Sequence, residues 1–364
     1  MQKEMITSRQ AICILVVYIF GSSVVMGVST EASQDSWISL LLGALFAVPV
    51  FAAYARIMKL FPEKDFFEIT GILFGKIGGK ILNILMIWYA IHLAALVLRN
   101  FTEFIQVVAM PETPQLPVMI AMVLLTVYIA KSGVEILGKW SLIAAFLVIF
   151  VIALTIVLSL SKMNYSNLLP IMDHSVGTIV SGSYQLLTFP YAESVIFLGI
   201  GCAVKKKNSP YKIYLYALLI SSVVLLFVIL RNLGLLGALG SAEYFPSYAA
   251  ARLINIGDFL TRIEGSISMN FILAGVTKIT LCVIVAAKGV ASVFGIKDYR
   301  GMVMPVGLLS VALCAVLYNN TMEMFSFIKV YQYYAIPFEF AIPLTVWIAA
   351  EIKMRKAKLN VQQA

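Results

Sequence analysis

Residues 19–27 read Ile19-Phe20-Gly21-Ser22-Ser23-Val24-Val25-Met26-Gly27. This patch of small residues lies in the middle of an apolar stretch that begins near residue 11, in a chain whose other apolar runs are long enough for a bilayer core, which takes about 20 residues per helix. Five apolar stretches later, Thr188-Phe189-Pro190-Tyr191-Ala192-Glu193 sets a proline and a carboxylate in mid-stretch. Proline removes a backbone donor and clashes with the preceding turn. In hydrocarbon, backbone groups freed this way need protein, water or ligand as partners. Small residues in a single membrane helix also suit close packing. Two interruptions five spans apart point instead to a pair of discontinuous helices, the mark of a midplane binding site. The N-terminus of a half-helix offers N–H groups to an anion such as a carboxylate, a geometry that suits an amino acid.

Working outward, ten apolar stretches are expected, near 11–31, 37–60, 81–109, 117–131, 138–160, 176–201, 212–238, 263–287, 302–318 and 328–350. Of the 364 residues, 61% are hydrophobic and 12% charged, about half the charge of a soluble domain. The mean hydropathy is +0.94. The expected fold is an all-α integral membrane protein of ten transmembrane helices. It forms one domain, 1–364, built as a five-plus-five inverted repeat (about 10–160 and about 176–350) with helices 1 and 6 discontinuous. Residues 62–75, PEKDFFEITGILFG, read as a short cytoplasmic amphipathic helix. Residues 241–262 read as an extracytoplasmic cap or an ordinary surface loop.

Charge gives the orientation. Of the 27 basic residues, 20 fall before span one or after spans two, four, six, eight and ten. The remaining loops hold few bases and many acids, among them Glu31, Asp35, Glu112, Asp173, Glu243 and Asp258. The positive-inside rule then places both termini in the cytoplasm. The net charge of +9 belongs to topology and anionic lipid rather than to nucleic acid. Met1–Arg9 lacks a signal-cleavage pattern, so the first span is expected to remain in the mature protein. The four cysteines are scattered singly and only two histidines are present. No metal site, cofactor, catalytic residue or enzyme activity is expected.

Ionisable groups at membrane depth are functional candidates. Glu193 follows the second break, where it can carry a proton, bind an ammonium group or pair with a base. Lys278 stands mid-way along span eight. Arg99 and Glu103, one helical turn apart, suit a structural pair. Arg262 and Glu264 open span eight as gate candidates or as a solvated pair, and Glu339, between Pro337 and Pro343, suits a structural role.

Short elements along nearly the whole chain resemble one family. They are Ile6-Thr7-Ser8-Arg9-Gln10, Trp37-Ile38-Ser39-Leu40-Leu41-Leu42-Gly43, Phe61-Pro62 and Phe67-Glu68-Ile69. Leu73-Phe74-Gly75-Lys76 and Leu98-Arg99-Asn100-Phe101-Thr102-Glu103-Phe104 follow. Met110-Pro111-Glu112-Thr113-Pro114, Ser132-Gly133-Val134-Glu135 and Asn167-Leu168-Leu169-Pro170 complete the set. In order and spacing they resemble the germination permeases that form the B-subunits of spore germinant receptors, within the amino acid–polyamine–organocation superfamily. The chain departs from that pattern at Val28-Ser29-Thr30, where the family tends to have a proline.

The resemblance implies a small-ligand site between unwound helices one and six, with helix three beside it. The ligand set implied is Gly21, Ser22, Ser23, Val25, Gly27, Tyr89, His92, Leu93, Thr188, Phe189, Pro190, Tyr191 and Glu193. The superfamily has a cation site between helices one and eight. Lys278 either takes the place of that cation or snorkels to the cytoplasmic face. The implied function is nutrient sensing. A small germinant, an amino acid, binds and signals to an A-subunit and a lipoprotein C-subunit in the spore inner membrane. The alternative is a proton-coupled secondary amino-acid transporter.

Overall fold

The computed structural model describes residues 4–27, 32–109, 112–241, 243–254 and 263–363. The regular elements among the described residues are all helices, and their one β-type contact is an isolated parallel bridge between Ile6 and Val204. Helix α1 spans Ser8–Phe20. It starts on a capping box: Thr7 Oγ1 accepts from Gln10 N at 3.3 Å, and Gln10 Oε1 accepts from Thr7 N at 2.8 Å. It stops at Gly21, whose φ of 27° is a left-handed value that favours glycine. A single turn, α2 (Ser23–Met26), completes the first span.

The sixth span has three windings. Helix α7 (Val176–Leu186) passes into a π-helical turn, Leu187–Tyr191, and then into a tighter 3₁₀ stretch, Ala192–Ala203. The change falls at Phe189, which is extended at φ −124° and ψ 113° immediately before Pro190, as the ring of a following proline favours. Both interruptions expected from the sequence are therefore present.

The intervening helices are α3 (Ser36–Leu60), α4 (Phe66–Phe104), α5 (Gln115–Ser132) and α6 (Val134–Ser159). Helices α8 (Pro210–Leu236), α9 (Pro246–Arg252), α10 (Glu264–Phe294), α11 (Arg300–Val316), α12 (Thr321–Tyr334) and α13 (Ile342–Gln363) follow span six. The segment expected as a separate amphipathic helix at 62–75 starts later, at Phe66 on an Asp65–Glu68 capping box. It runs through a kink at Gly75, φ 70°, directly into span three. Glycine takes the left-handed value at that joint without a Cβ clash, so the two pieces share one helix. Span ten carries a break of its own, a π-helical turn at Pro337–Ala341 between α12 and α13.

Among the described residues, nine helical stretches are long and apolar enough to cross a membrane. The segment expected as the remaining span is α11, apolar but only 17 residues long. Layering follows from burial. Span six is 89% buried over its most apolar window, α10 83% and the first span 78%. These three, with the second half of α4, make the interior. Helices α3, α5, α6 and α8 surround them and turn Leu45, Tyr128, Ile143 and Leu219 outward. In lipid such outward apolar side chains cost nothing, so helix association rests on close packing. Gly199 shows this, since a Cβ there would come within 2.5 Å of Val285 Cγ1.

At the end that bears both termini, Glu4 binds Arg300 at 2.7 Å and the Val134 backbone at 3.1 Å. There the Ile6 amide also donates to the Ala203 carbonyl at 2.8 Å. At the other end, α9 packs on α2: Ser247 Oγ donates to Val24 O and accepts from Asn232 Nδ2.

Candidate functional site at the helix breaks

The chain turns out of α1 at Gly21 and leaves an open flank. Lys278 of α10 lies across it. A Cβ on residue 21 would stand 2.6 Å from Lys278 Cδ, so only glycine leaves room for the lysine stem. The ammonium reaches Glu193, the second residue of the 3₁₀ stretch, in a salt bridge whose two side chains are 0% and 1% exposed. Burial this complete excludes snorkelling for Lys278. The same ammonium lies over the rings of Tyr18 and Phe189, at 5.0 and 5.2 Å, in cation–π range. Tyr18 Oη donates to the Glu193 carbonyl at 3.1 Å. One charge pair thus sits where the two broken helices meet and touches both.

The other Glu193 oxygen, Oε1, accepts from Tyr331 Oη at 2.7 Å. Tyr331 Oη lies 3.0 Å from Tyr89 Oη, and Tyr89 Oη lies 2.7 Å from Glu339 Oε1. Glu339 is fully buried, and its Oε2 has no hydrogen-bond partner among the described residues. Tyr54 Oη donates to the Glu339 carbonyl at 2.6 Å. This polar core is enclosed by α1, α3, α4, α10, span six and the break in span ten.

A narrow cleft of about 40 Å³, room for roughly one water molecule, leads from Glu193 and Phe189 toward the α11–α12 connection. Asn100 and Tyr331 are polar groups on its wall, and Met26, Leu93, Leu96 and Phe327 are apolar ones.

The residues expected at the ligand site divide into groups. Leu93, Phe189 and Glu193 line the cleft, and Tyr89 stands behind it in the hydrogen-bonded core. Gly21 and Pro190 shape the two breaks. Ser22 Oγ accepts from Asn100 Nδ2 at 3.2 Å, on the cleft side. Ser23 and Thr188 instead return their hydroxyls to carbonyls of their own helices. Val25 is buried, and Gly27 abuts Pro246 of α9. Tyr191 points away to Ser222 Oγ at 2.7 Å. His92 lies off the cleft, stacked on Trp88 with centroids 5.5 Å apart and edge-on to Tyr334 at 5.0 Å. Glu264 opens α10, and Arg262 falls outside the described residues. The structure adds Asn100, Phe327 and Tyr331 on the cleft wall and Tyr18 beside the Lys278–Glu193 pair, while Glu339 lies behind Tyr89, off the cleft. A signal for two of them, Phe327 and Tyr331, exists in the sequence: with Tyr334 and Phe338 they recur at intervals of three and four residues, an aromatic stripe on one face of span ten.

Arg99 and Glu103 form the expected pair at 2.7 Å, almost fully buried. Glu103 also accepts from Gln115 at 2.9 Å and Thr321 at 2.8 Å. The pair therefore pins the starts of α5 and α12 beside the cleft mouth.

Sequence comparison matches residues 5–324 to the family described as spore germination protein. The chain belongs to that family. Its relatives within spore germination include spore germination protein KB of Bacillus subtilis (strain 168), 24% identical over 98% of this chain and 97% of the relative. Spore germination protein YndE of the same organism is 24% identical over 97% and 98%. GerQB of Bacillus cereus is 23% identical over 79% and 78%. Among solved structures, the fold is similar to that of MhsT in complex with L-phenylalanine, at TM-score 0.66 and 9% identity, covering 96% of this chain and 99% of that one. It is also similar to a nucleobase–cation–symport-1 family transporter closed on bromovinylhydantoin, at TM-score 0.66 and 12% identity, covering 94% and 78%. A Na⁺-coupled sialic acid symporter gives 0.65 and 10%, covering 96% and 89%. This spore germination protein is thus a multi-pass membrane protein with the inverted-repeat fold of secondary transporters, and its own first and sixth spans are discontinuous.

Proposed function

We propose that this chain is the membrane subunit of a germinant receptor and that its cleft takes a small germinant, an amino acid. The observation that carries the reading is the Lys278–Glu193 pair, buried where both broken helices meet, with Glu193 on the wall of a narrow cleft that must widen to admit the ligand. A zwitterion offers a carboxylate to Lys278 and an ammonium to Glu193, and so replaces one satisfied pair by two. Side-chain choice falls to Leu93, Phe189 and Phe327 on the cleft wall. The ligand can move the bundle only by its difference in affinity between two arrangements. Opening the central salt bridge supplies such a difference. The change passes to an A-subunit and a lipoprotein C-subunit in the spore inner membrane, with both termini cytoplasmic and Arg262 and Glu264 at the outer gate. The repeats run about 10–160 and 176–350, which makes the two breaks equivalent, and the 241–262 segment caps the outer end.

The test is a thermal-shift screen of the purified chain against individual amino acids, repeated with Lys278→Met and Glu193→Gln. Stabilisation by at least one amino acid, lost in both variants, is expected. A shift that survives both substitutions would sink the proposed site.

The transporter fold and the titratable pair favour one second reading, proton-coupled amino-acid transport. Uptake of labelled amino acid into vesicles holding this chain alone separates the two.

A further inference from the structure

Four side chains from three spans form one unbroken row of oxygen atoms. Glu193 Oε1, Tyr331 Oη, Tyr89 Oη and Glu339 Oε1 are separated by 2.7, 3.0 and 2.7 Å. All four groups are buried, and each separation is hydrogen-bond length. Three contacts need three protons. The two phenols supply two. With both carboxyl groups ionised, one oxygen pair would face each other with no hydrogen between them, deep in the bundle. The row is complete only when one carboxyl group carries the third proton.

Charge selects which. Glu193 is held by the Lys278 ammonium, with Tyr18 donating to its carbonyl. Glu339 meets the hydroxyls of Tyr89 and Tyr54, the latter on its backbone carbonyl, and no cation among the described residues lies within salt-bridge range. Its Oε2 has no partner among the described residues, a state far less costly for a neutral acid than for half of an anion. Glu193 borders the cleft already described, whereas Glu339 borders a second cavity, of about 450 Å³. That cavity lies toward the end with the termini, where Arg56 pairs with Glu351 at 2.5 Å.

We propose that Glu193, Tyr331, Tyr89 and Glu339 form a proton-transfer row between the two cavities, loaded with one proton that rests on Glu339. In a transfer, Glu339 gives its proton to the Tyr89 oxygen while Tyr89 gives its own to Tyr331. Tyr331 then gives its own to Glu193. Glu339 ends as a carboxylate, Glu193 ends as an acid, and both phenols are restored. With Lys278 drawn off Glu193 and no ammonium in its place, Glu193 becomes the better acceptor; an amino acid whose ammonium takes that place keeps the proton on Glu339. The row itself does not depend on which small molecule occupies the cleft.

Two measurements decide it. Infrared spectra of the purified full chain should show the carbonyl stretch of a protonated carboxylic acid, absent from Glu339→Gln and retained in Glu193→Gln. Vesicles holding only this chain, with an entrapped pH dye and an imposed potassium diffusion potential, should take up protons faster than empty vesicles. Tyr331→Phe, which removes the central hydroxyl, should return uptake to the empty-vesicle rate. Absence of the acid band, its survival in Glu339→Gln, no uptake above empty vesicles, or full uptake in Tyr331→Phe would each overturn the proposal. Glu339→Gln should still show the amino-acid thermal shift, which separates failure of the row from failure of the ligand site.

Discussion

Spans five and six are nearly equal in length, 29 residues for Val134–Lys162 and 28 for Val176–Ala203, yet they occupy opposite environments. Span five is the more apolar and is only 39% buried over its most apolar window, while span six is less apolar and 89% buried. Span five turns Ile143, Phe146 and Phe150 to lipid along an unbroken helix. Span six changes winding twice and carries a buried carboxylate. In a membrane bundle, then, strong hydropathy marks the outside. A drop in hydropathy with full burial marks the interior, where polar groups find partners.

Substitutions can break that contrast, beginning with the largest effect. Lys278→Met or Glu193→Gln alone should destabilise the protein by about 3–5 kcal/mol, because each leaves an uncompensated charge or donor at full burial. The double variant should recover much of this. Ile143→Ala in span five should stay within about 0.5 kcal/mol. Thermal unfolding in detergent measures all four, and a Lys278→Met protein as stable as Ile143→Ala would end the distinction.

Gly21→Ala should come next. It forces a Cβ to within 2.6 Å of Lys278 Cδ at a left-handed φ, at a strain of about 1–3 kcal/mol. The amino-acid thermal shift should disappear with it. Gly177→Ala, with its nearest neighbour atom 3.6 Å away, should change neither quantity.

Phe189→Ala removes a cleft wall and a cation–π partner of Lys278. It should weaken amino-acid binding by about 2 kcal/mol, read as a shifted titration midpoint. Tyr191→Phe, next but one in sequence, loses only its bond to Ser222. That should lower stability by about 1 kcal/mol and leave the titration midpoint where it was. Equal effects on binding from Phe189→Ala and Tyr191→Phe would show that the inward and outward sides of the break are not distinct.

Much of this was legible in the chain. Hydropathy marks the crossings because lipid imposes one length and one chemistry on every helix. Gly21 and Pro190 disclose the breaks, since glycine and proline alter the backbone locally. Glu193 and Lys278 each stand out by depth. Their pairing does not, because 85 residues separate them and their contact depends on how α10 leans across the α1 break. Tyr191 and His92 lie at the right depth, but depth fixes height along a helix and not direction around it. Tyr191 faces α8, and His92 faces an aromatic cluster with Trp88 at the lipid margin. Glu339 reads as structural until Tyr89 and Tyr331 are seen to connect it with Glu193. The joining of the amphipathic segment to span three is a matter of one torsion at Gly75, which composition does not report.

The bridge from Ile6 to Ala203 fastens the approach to the first span to the exit of the sixth, two residues before α1 begins. With the salt bridge between α10 and span six above it, the near halves of both interrupted helices are clasped as one lever. Displacement at the fulcrum between them is therefore borne by the short far arms, α2 and α7. The α9 helix already leans on α2 through Ser247, so under the proposed function an occupant of the cleft would push first on the surface opposite the termini.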